Sequence, residues 1–438
     1  MKMFRPVLAL VLSVLALPAL AEIRIQEVKS PGGLTAWLVE DHGIPFTALE
    51  IRFRGGTSLD LPGKRGATYL MTALIEEGTG DLDSRGFAEA RDSLAAHFSF
   101  DTGADVVSVS AMMLTENRDQ AVDLLAGALT APRFDQDAVD RVREQVLSNI
   151  RSGEKDPGSI ASREMDAMAF GDHPYATPGE GTVASVTALT RDDMLEAHKG
   201  ALARDRVYIA AAGDITPEEL GLLVDRLLGG LPATGAALPG RAPWNLTAGV
   251  TVIDFPSPQS VITFGHSGIK RDDPDFFAAF ILNEVMGGGR FTSRLMTEVR
   301  EKRGLTYGIG SYLIGMDQAE MVLGQLSASN DKAAQAVEVI RAEWARIAAD
   351  GLTEAELAAT KTYLTGAYPL RFDGNGPIAS MLVAMQMDGL PIDYPNTRNE
   401  KIEAVTMEDV KRVAARLFLP DALRFVVVGQ PQGLTSSP

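Results

Sequence analysis

Ala188-Leu189-Thr190-Arg191-Asp192-Asp193 and Ala404-Val405-Thr406-Met407-Glu408-Asp409 lie 216 residues apart and share one pattern, an apolar pair, a threonine and an acidic turn. A threonine just ahead of such a turn caps a helix, because its hydroxyl takes up one of the helix's unpaired N–H groups. At the same offset the apolar run Val207 to Ala212, closed by Gly213, falls on Leu423 to Val428, closed by Gly429. Each copy reads as a capped helix, a polar turn and a buried strand ending in glycine. Nearer the start of each half the offset drifts by one, so that Ala121-Val122 matches Ala336-Val337. The reach is too long for one turn motif. It implies a domain of about 200 residues present twice.

Within the first copy, Leu34 to Val39, Ala48 to Arg54 and Val106 to Met113 read as strands. Gly66 to Glu77, Phe87 to Ala96, Arg118 to Leu129 and Gln136 to Arg151 read as helices. Strands that do not alternate one-for-one with helices point to α+β, a mostly antiparallel or mixed sheet covered by helices. The Gly/Pro-rich stretch from Gly229 to Gly235, followed by Pro239-Gly240 and Pro243, reads as a linker. The expected organisation is a leader over 1–21, an N-terminal domain over 22–228, a linker over 229–249 and a C-terminal domain over 250–438.

The 438 residues are enough for two cores, and a composition 45% hydrophobic and 23% charged excludes wholesale disorder. The leader follows from Lys2 and Arg5 ahead of the apolar run Pro6 to Leu17, then Ala19-Leu20-Ala21 as a small-x-small cleavage site. Cleavage after Ala21 would send the chain to a bacterial periplasm, and the run is too short to span a membrane. Without Lys2 and Arg5, 39 basic residues face 58 acidic ones, a net charge of −19. That charge argues against nucleic acid and anionic lipid as partners. The chain has no cysteine, which excludes disulfides, thiolate zinc sites, iron–sulfur clusters and cysteine nucleophiles. Its five histidines, His42, His97, His173, His198 and His266, include no pair at helical chelating spacing, so surface or hydrogen-bonded roles are expected.

The stretch Gly66-Ala67-Thr68-Tyr69-Leu70-Met71-Thr72-Ala73-Leu74-Ile75-Glu76-Glu77-Gly78-Thr79 resembles the first zinc-site helix of the pitrilysin/insulinase (inverzincin) metallopeptidases. Helices of that family carry His-x-x-Glu-His, two zinc ligands on one face and the glutamate that activates water. Here those places hold Tyr69, Thr72 and Ala73. A neutral phenol, a hydroxyl and a methyl cannot replace two imidazoles and a carboxylate. The family's third ligand, a glutamate about 76 residues further on, maps onto Asn149. The resemblance therefore implies a chain with four degenerate metal positions and no metal of its own. The pair Glu76-Glu77 is expected at solvent-facing positions, and Asp172-His173-Pro174-Tyr175 resembles a structural loop of the same family.

Gly287-Gly288-Gly289-Arg290-Phe291-Thr292-Ser293-Arg294-Leu295, with Glu298 to Tyr307, is similar to the family's C-terminal domain. In that family an Arg and a Tyr seven residues apart act across the chamber on the substrate beside zinc. They map onto Arg300 and Tyr307, and Gly287, Gly288, Gly289 and Phe291 onto a peptide-contacting segment. A guanidinium and a phenol placed together can donate to a carbonyl or a developing oxyanion. The plainer alternative leaves Arg300 capping its helix and Tyr307 packed in the sheet. The resemblance further implies a clamp-shaped half-chamber and a zinc-less subunit that pairs with a separate zinc-bearing homologue, or with itself when isolated, around a peptide substrate. A peptide-binding or scaffold protein without peptidase activity is the alternative, and a self-sufficient hydrolase a third.

Overall fold

The computed structural model describes residues 23–437, so the expected leader and its cleavage site lie outside the described residues. The first half runs β1 (Gln26–Lys29), β2 (Thr35–Glu40), β3 (Phe46–Arg54), α1 (Ala67–Ala73), β4 (Gly78–Thr79), β5 (Leu82–Asp83), α2 (Ser84–Ser93), β6 (His97–Thr102) and β7 (Val106–Leu114). It continues through α3 (Arg118–Thr130), α4 (Gln136–Gly153), α5 (Pro157–Phe170), α6 (Val183–Ala188), α7 (Arg191–Ala201), β8 (Val207–Gly213) and α8 (Pro217–Leu228). The second half runs β9 (Gly249–Asp254), β10 (Gln259–Ser267), α9 (Phe276–Met286), β11 (Ile309–Gly315) and β12 (Glu320–Ser329). It closes with α10 (Ala333–Asp350), α11 (Glu354–Ala367), α12 (Asn375–Met387), α13 (Tyr394–Glu403), α14 (Met407–Leu417) and β13 (Arg424–Gly429).

The strand orders are β1-β2-β8-β3-β7-β6 and β11-β12-β10-β13-β9. They superpose as one topology. In each sheet a single parallel pair, β2 with β8 or β9 with β13, joins an antiparallel run, β8-β3-β7-β6 or β13-β10-β12-β11. Strand β1 is an additional edge on the first sheet. The repeated unit read from the sequence falls on equivalent elements. Helices α7 and α14 start 216 residues apart, and both carry a capping box, Thr190 with Asp193 and Thr406 with Asp409.

The apolar runs Val207–Ala212 in β8 and Phe425–Val428 in β13 have a structural cause. Both strands are covered on both faces. In β13, Phe425 and Val427 enter the second core, while Val426 and Val428 face the other way, onto Ala161, Met165, Ala169 and Phe170 of α5. In β8, Ala211 enters the first core, while Ala210 lies with Leu382, Val383 and Met385 of α12 and Ala212 with Ala379. Each half thus lays one helix across the outer face of the other half's sheet. Polar contacts follow the same seam. Arg54 Nη1 pairs with Asp317 at 2.9 Å, the Asp317 backbone N–H donates to Asp105 at 3.0 Å, and Tyr175 donates its hydroxyl proton to Asp105.

Three sequence expectations need correction. Helix α1 ends at Ala73 instead of Glu77, because Leu74 and Ile75 hydrogen-bond three residues back, a tighter turn that leads into the β4-β5 hairpin. Glu77 is mostly buried and ion-paired with Arg141 at 3.1 Å, so only Glu76 of that pair is exposed. Tyr307, which its place after Gly304 would put at the opening of an alternating strand, sits instead on a bend two residues before β11.

Candidate functional site

Helix α1 begins where Gly66, at φ 92°, turns the chain; a side chain there would meet the Glu180 carbonyl at 2.6 Å. The buried Asp60 carboxylate accepts from the Gly66 and Thr68 backbone N–H groups at 2.8 Å, which fixes the helix start. Along it, Tyr69 and Ala73 are half-buried against the first core, and Thr72 is only 2% exposed. The Thr72 hydroxyl donates to the Thr68 carbonyl of its own helix at 2.8 Å. Helix α1 packs on α4, which carries Asn149. Asn149 is exposed and accepts a hydrogen bond from Gln145 at 3.1 Å. The four degenerate positions therefore lie on two touching helices, and none offers a free ligand pair. Among the described residues no group of three or more His, Asp or Glu is placed to hold a metal.

Four of the five histidines are engaged elsewhere, and His97 is exposed on β6. His42 lies between Asp214 and Glu40, at 2.6 and 2.9 Å, and these hydrogen bonds raise its pKa. His198 is buried against the Leu129 carbonyl, and His266 Nε2 accepts from the indole of Trp344 at 2.9 Å. Burial pushes His266 down to about 4. His173 caps the turn at Tyr175 through Nδ1 at 3.2 Å.

Beside Tyr69 lies a cavity of about 640 Å3 in the seam between the halves, bordered by Arg65, Arg163, Asp166, Tyr175 and Gln325. Burial alone raises the Asp166 carboxyl to about 7. Nothing in the sequence singled this residue out, since its isolation arises from α5 facing the second sheet.

Arg300 and Tyr307 come together on a second cavity, of about 590 Å3. A six-residue π-helical turn, Met296–Glu301, carries Arg300, and Gly304, at φ 59°, reverses the chain toward Tyr307. Lys332 clamps that reversal by donating to the Gly304 carbonyl at 2.8 Å. Tyr307 is 89% exposed, so it is not packed in the sheet. The Arg300 guanidinium lies over the ring of Phe291, 5.0 Å from its centroid, and does not cap the helix. Phe291 is 70% exposed. Gly287 and Gly288 are buried: a side chain on Gly287 would strike Ser311 at 2.3 Å and one on Gly288 would strike Glu284 at 2.4 Å. They serve the close passage of the chain from α9 past β11. Gly289 and Phe291 are the members of the four-residue segment open to a ligand.

The two halves share one fold, and the described residues hold no cluster of His, Asp or Glu fit for a metal. Residues 36–183 match the family model for insulinase (peptidase family M16), and residues 188–364 match that for the peptidase M16 inactive domain. The chain belongs to the M16 family, as a non-catalytic member. It is 26% identical over 375 residues to the non-peptidase homologue YmxG of Helicobacter pylori, covering 85% of this chain and 86% of that one. An uncharacterized zinc protease of Streptomyces coelicolor is 26% identical over 406 residues, 89% of this chain and 86% of that one. The peptidase M16 inactive domain from Pseudomonas fluorescens superposes with a TM-score of 0.88 at 28% identity, over 95% of this chain and 100% of that one. Relatives named as zinc proteases and one named as a non-peptidase homologue occur side by side. Among the described residues no helix is long and apolar enough to cross a membrane.

Proposed function

We propose that this protein is the zinc-less subunit of a two-chain periplasmic peptidase. In that role it binds peptide and presents Arg300 and Tyr307 to the zinc site of a homologous partner. The observation that carries the reading is the contrast between the two halves. The metal positions are filled by residues that cannot bind zinc, while Arg300 and Tyr307 stand exposed on one cavity. A pair with no structural duty of its own, beside degenerate chemistry, is what a chain needs if it works on another chain's substrate. Gly289 and Phe291 flank the pair and would contact the peptide. Strand β11 is a sheet edge, where an extended peptide can be held through main-chain hydrogen bonds with little regard for its sequence.

The test is a peptidase assay with metal analysis on the mature chain, alone and mixed with a zinc-bearing homologue from the same genome. Activity and about one zinc per pair should appear only on mixing. Arg300→Ala and Tyr307→Phe should each slow turnover roughly a hundredfold, the usual loss for one oxyanion donor, while assembly measured by size exclusion is unchanged. Activity and zinc in the chain alone would overturn the proposal. Silence in both samples would leave a peptide-binding or scaffold protein.

A further inference from the structure

The cavity that holds Arg300 and Tyr307 is lined by two cations, Arg300 and Lys332, against one carboxylate, Glu301. In a chain of net charge −17 such a balance is local and unusual. Holding a neutral peptide carbonyl needs one donor, and the Tyr307 phenol with Arg300 already supplies two. A second cation on the wall is therefore surplus to a neutral ligand. Lys332 spends one of its three protons on the Gly304 carbonyl at 2.8 Å, which leaves two for a ligand. The Arg300 guanidinium lies over the Phe291 ring, and a guanidinium so placed can still offer its N–H fork, the group that grips a carboxylate with two parallel hydrogen bonds. The other polar side chains on its wall, among them Gln259, Ser327 and Ser329, are neutral, and Leu305 and Ala328 add apolar surface. The cavity also lies at the start of β11, an edge strand of the second sheet whose Ser311 is bonded to Gly287 and Asn283, so its occupant can approach as extended chain beside Tyr307.

We infer that this cavity is a carboxylate site, which binds a peptide through an ionised carboxyl group seated between Arg300 and Lys332. The group is either a chain terminus, the form in which hydrolysis leaves the N-terminal product, or an acidic side chain. The inference shares Arg300 and Tyr307 with the proposed function and adds Lys332 as the residue that selects charge.

The experiment measures fluorescence anisotropy of three dansyl peptides on the mature chain alone: pentaalanine with a free terminus, its C-terminal amide, and an amide with one internal glutamate. A carboxylate should tighten binding roughly tenfold over the plain amide. Preference for the first peptide identifies the terminus as the source, preference for the third identifies the side chain, and both together identify carboxylate in either setting. Lys332→Gln should remove the preference and Lys332→Arg should keep it, with unchanged thermal unfolding of both variants excluding a folding defect. Equal binding of all three peptides, binding of none, or a preference that survives Lys332→Gln overturns the inference. The two readings fail separately. If the acid and amide bind alike but Arg300→Ala still slows the mixed pair, the carboxylate site falls and the two-chain peptidase stands. Carboxylate preference without turnover on mixing is the reverse.

Discussion

Leu382→Ala tests whether the two halves are one cooperative body. Leu382 is fully buried on α12, a helix of the second half, but it packs among Trp37 and Ala210 of the first sheet. Truncation removes three buried carbons, about 2.4 kcal/mol at 0.8 kcal/mol each. A rigid indole on one side and an alanine on the other can do little to fill the space, which adds a cavity cost. The expected loss is about 3 kcal/mol, in the middle of the range for buried leucine and about two powers of ten in the unfolding constant. Leu222→Ala on α8, a residue 64% exposed, is the control and should stay within about 0.5 kcal/mol. Urea denaturation followed by circular dichroism gives the stability, and hydrogen exchange read by mass spectrometry gives its distribution. Because each sheet is covered in part by the other half, protection should fall together in β8 and in β13. A loss below about 1 kcal/mol, or two separate transitions with β13 unaffected, would refute the reasoning.

Two titrating groups shifted by burial, His266 and the half-buried Asp166, give opposite pH dependences. Folded His266, pushed by burial to about 4, stays neutral where the unfolded residue takes a proton below about 6.5. Unfolding therefore binds a proton between these values, and stability falls by up to about 3 kcal/mol as the pH drops from 6.5 to 4. A melting series on His266→Gln should show that slope flattened. Asp166, raised by burial to about 7, has the contrary sign: its contribution is lost as the pH rises from about 4 to 7. Asp166→Asn should raise the melting temperature at pH 8 and leave it unchanged at pH 4; a gain at both would refute the assignment. Gly287→Ala should destabilise, since its methyl would meet Ser311 at 2.3 Å, whereas Gly289→Ala, with nothing within 4 Å, should unfold like the parent.

The duplication was legible because a strand buried on both faces keeps a run of apolar residues, and Ile209–Gly213 and Phe425–Gly429 keep that signal at a fixed offset of 216. The family was legible in Gly66–Thr79 and Gly287–Tyr307, because residue types and their spacing along the chain are local properties. What covers β8 and β13 was not. An amphipathic helix such as α5 shows that it has an apolar face and says nothing of which sheet receives it. For the same reason the boundary of α1 was overdrawn: the periodicity of Leu70, Leu74 and Ile75 persists through residues that turn more tightly than a helix. The convergence of Arg300 and Tyr307 could be argued from Gly304 between them. Lys332 could not, because its contact with the Gly304 carbonyl spans 28 residues and leaves no local pattern.

The exchange of α5 and α12 across the seam also limits how the gene can be divided. A fragment ending in the Gly229–Gly235 stretch would leave Trp37, Ala210 and Ala212 bare on one side and carry Met165 and Phe170 on a helix with no seat. The complementary fragment would expose Val426 and Val428 in the same way. Expressed singly, each piece would present an apolar face to any neighbour and tend to precipitate. Expressed together, the two should find each other and rebuild the uncut molecule, with the severed linker as its new pair of termini.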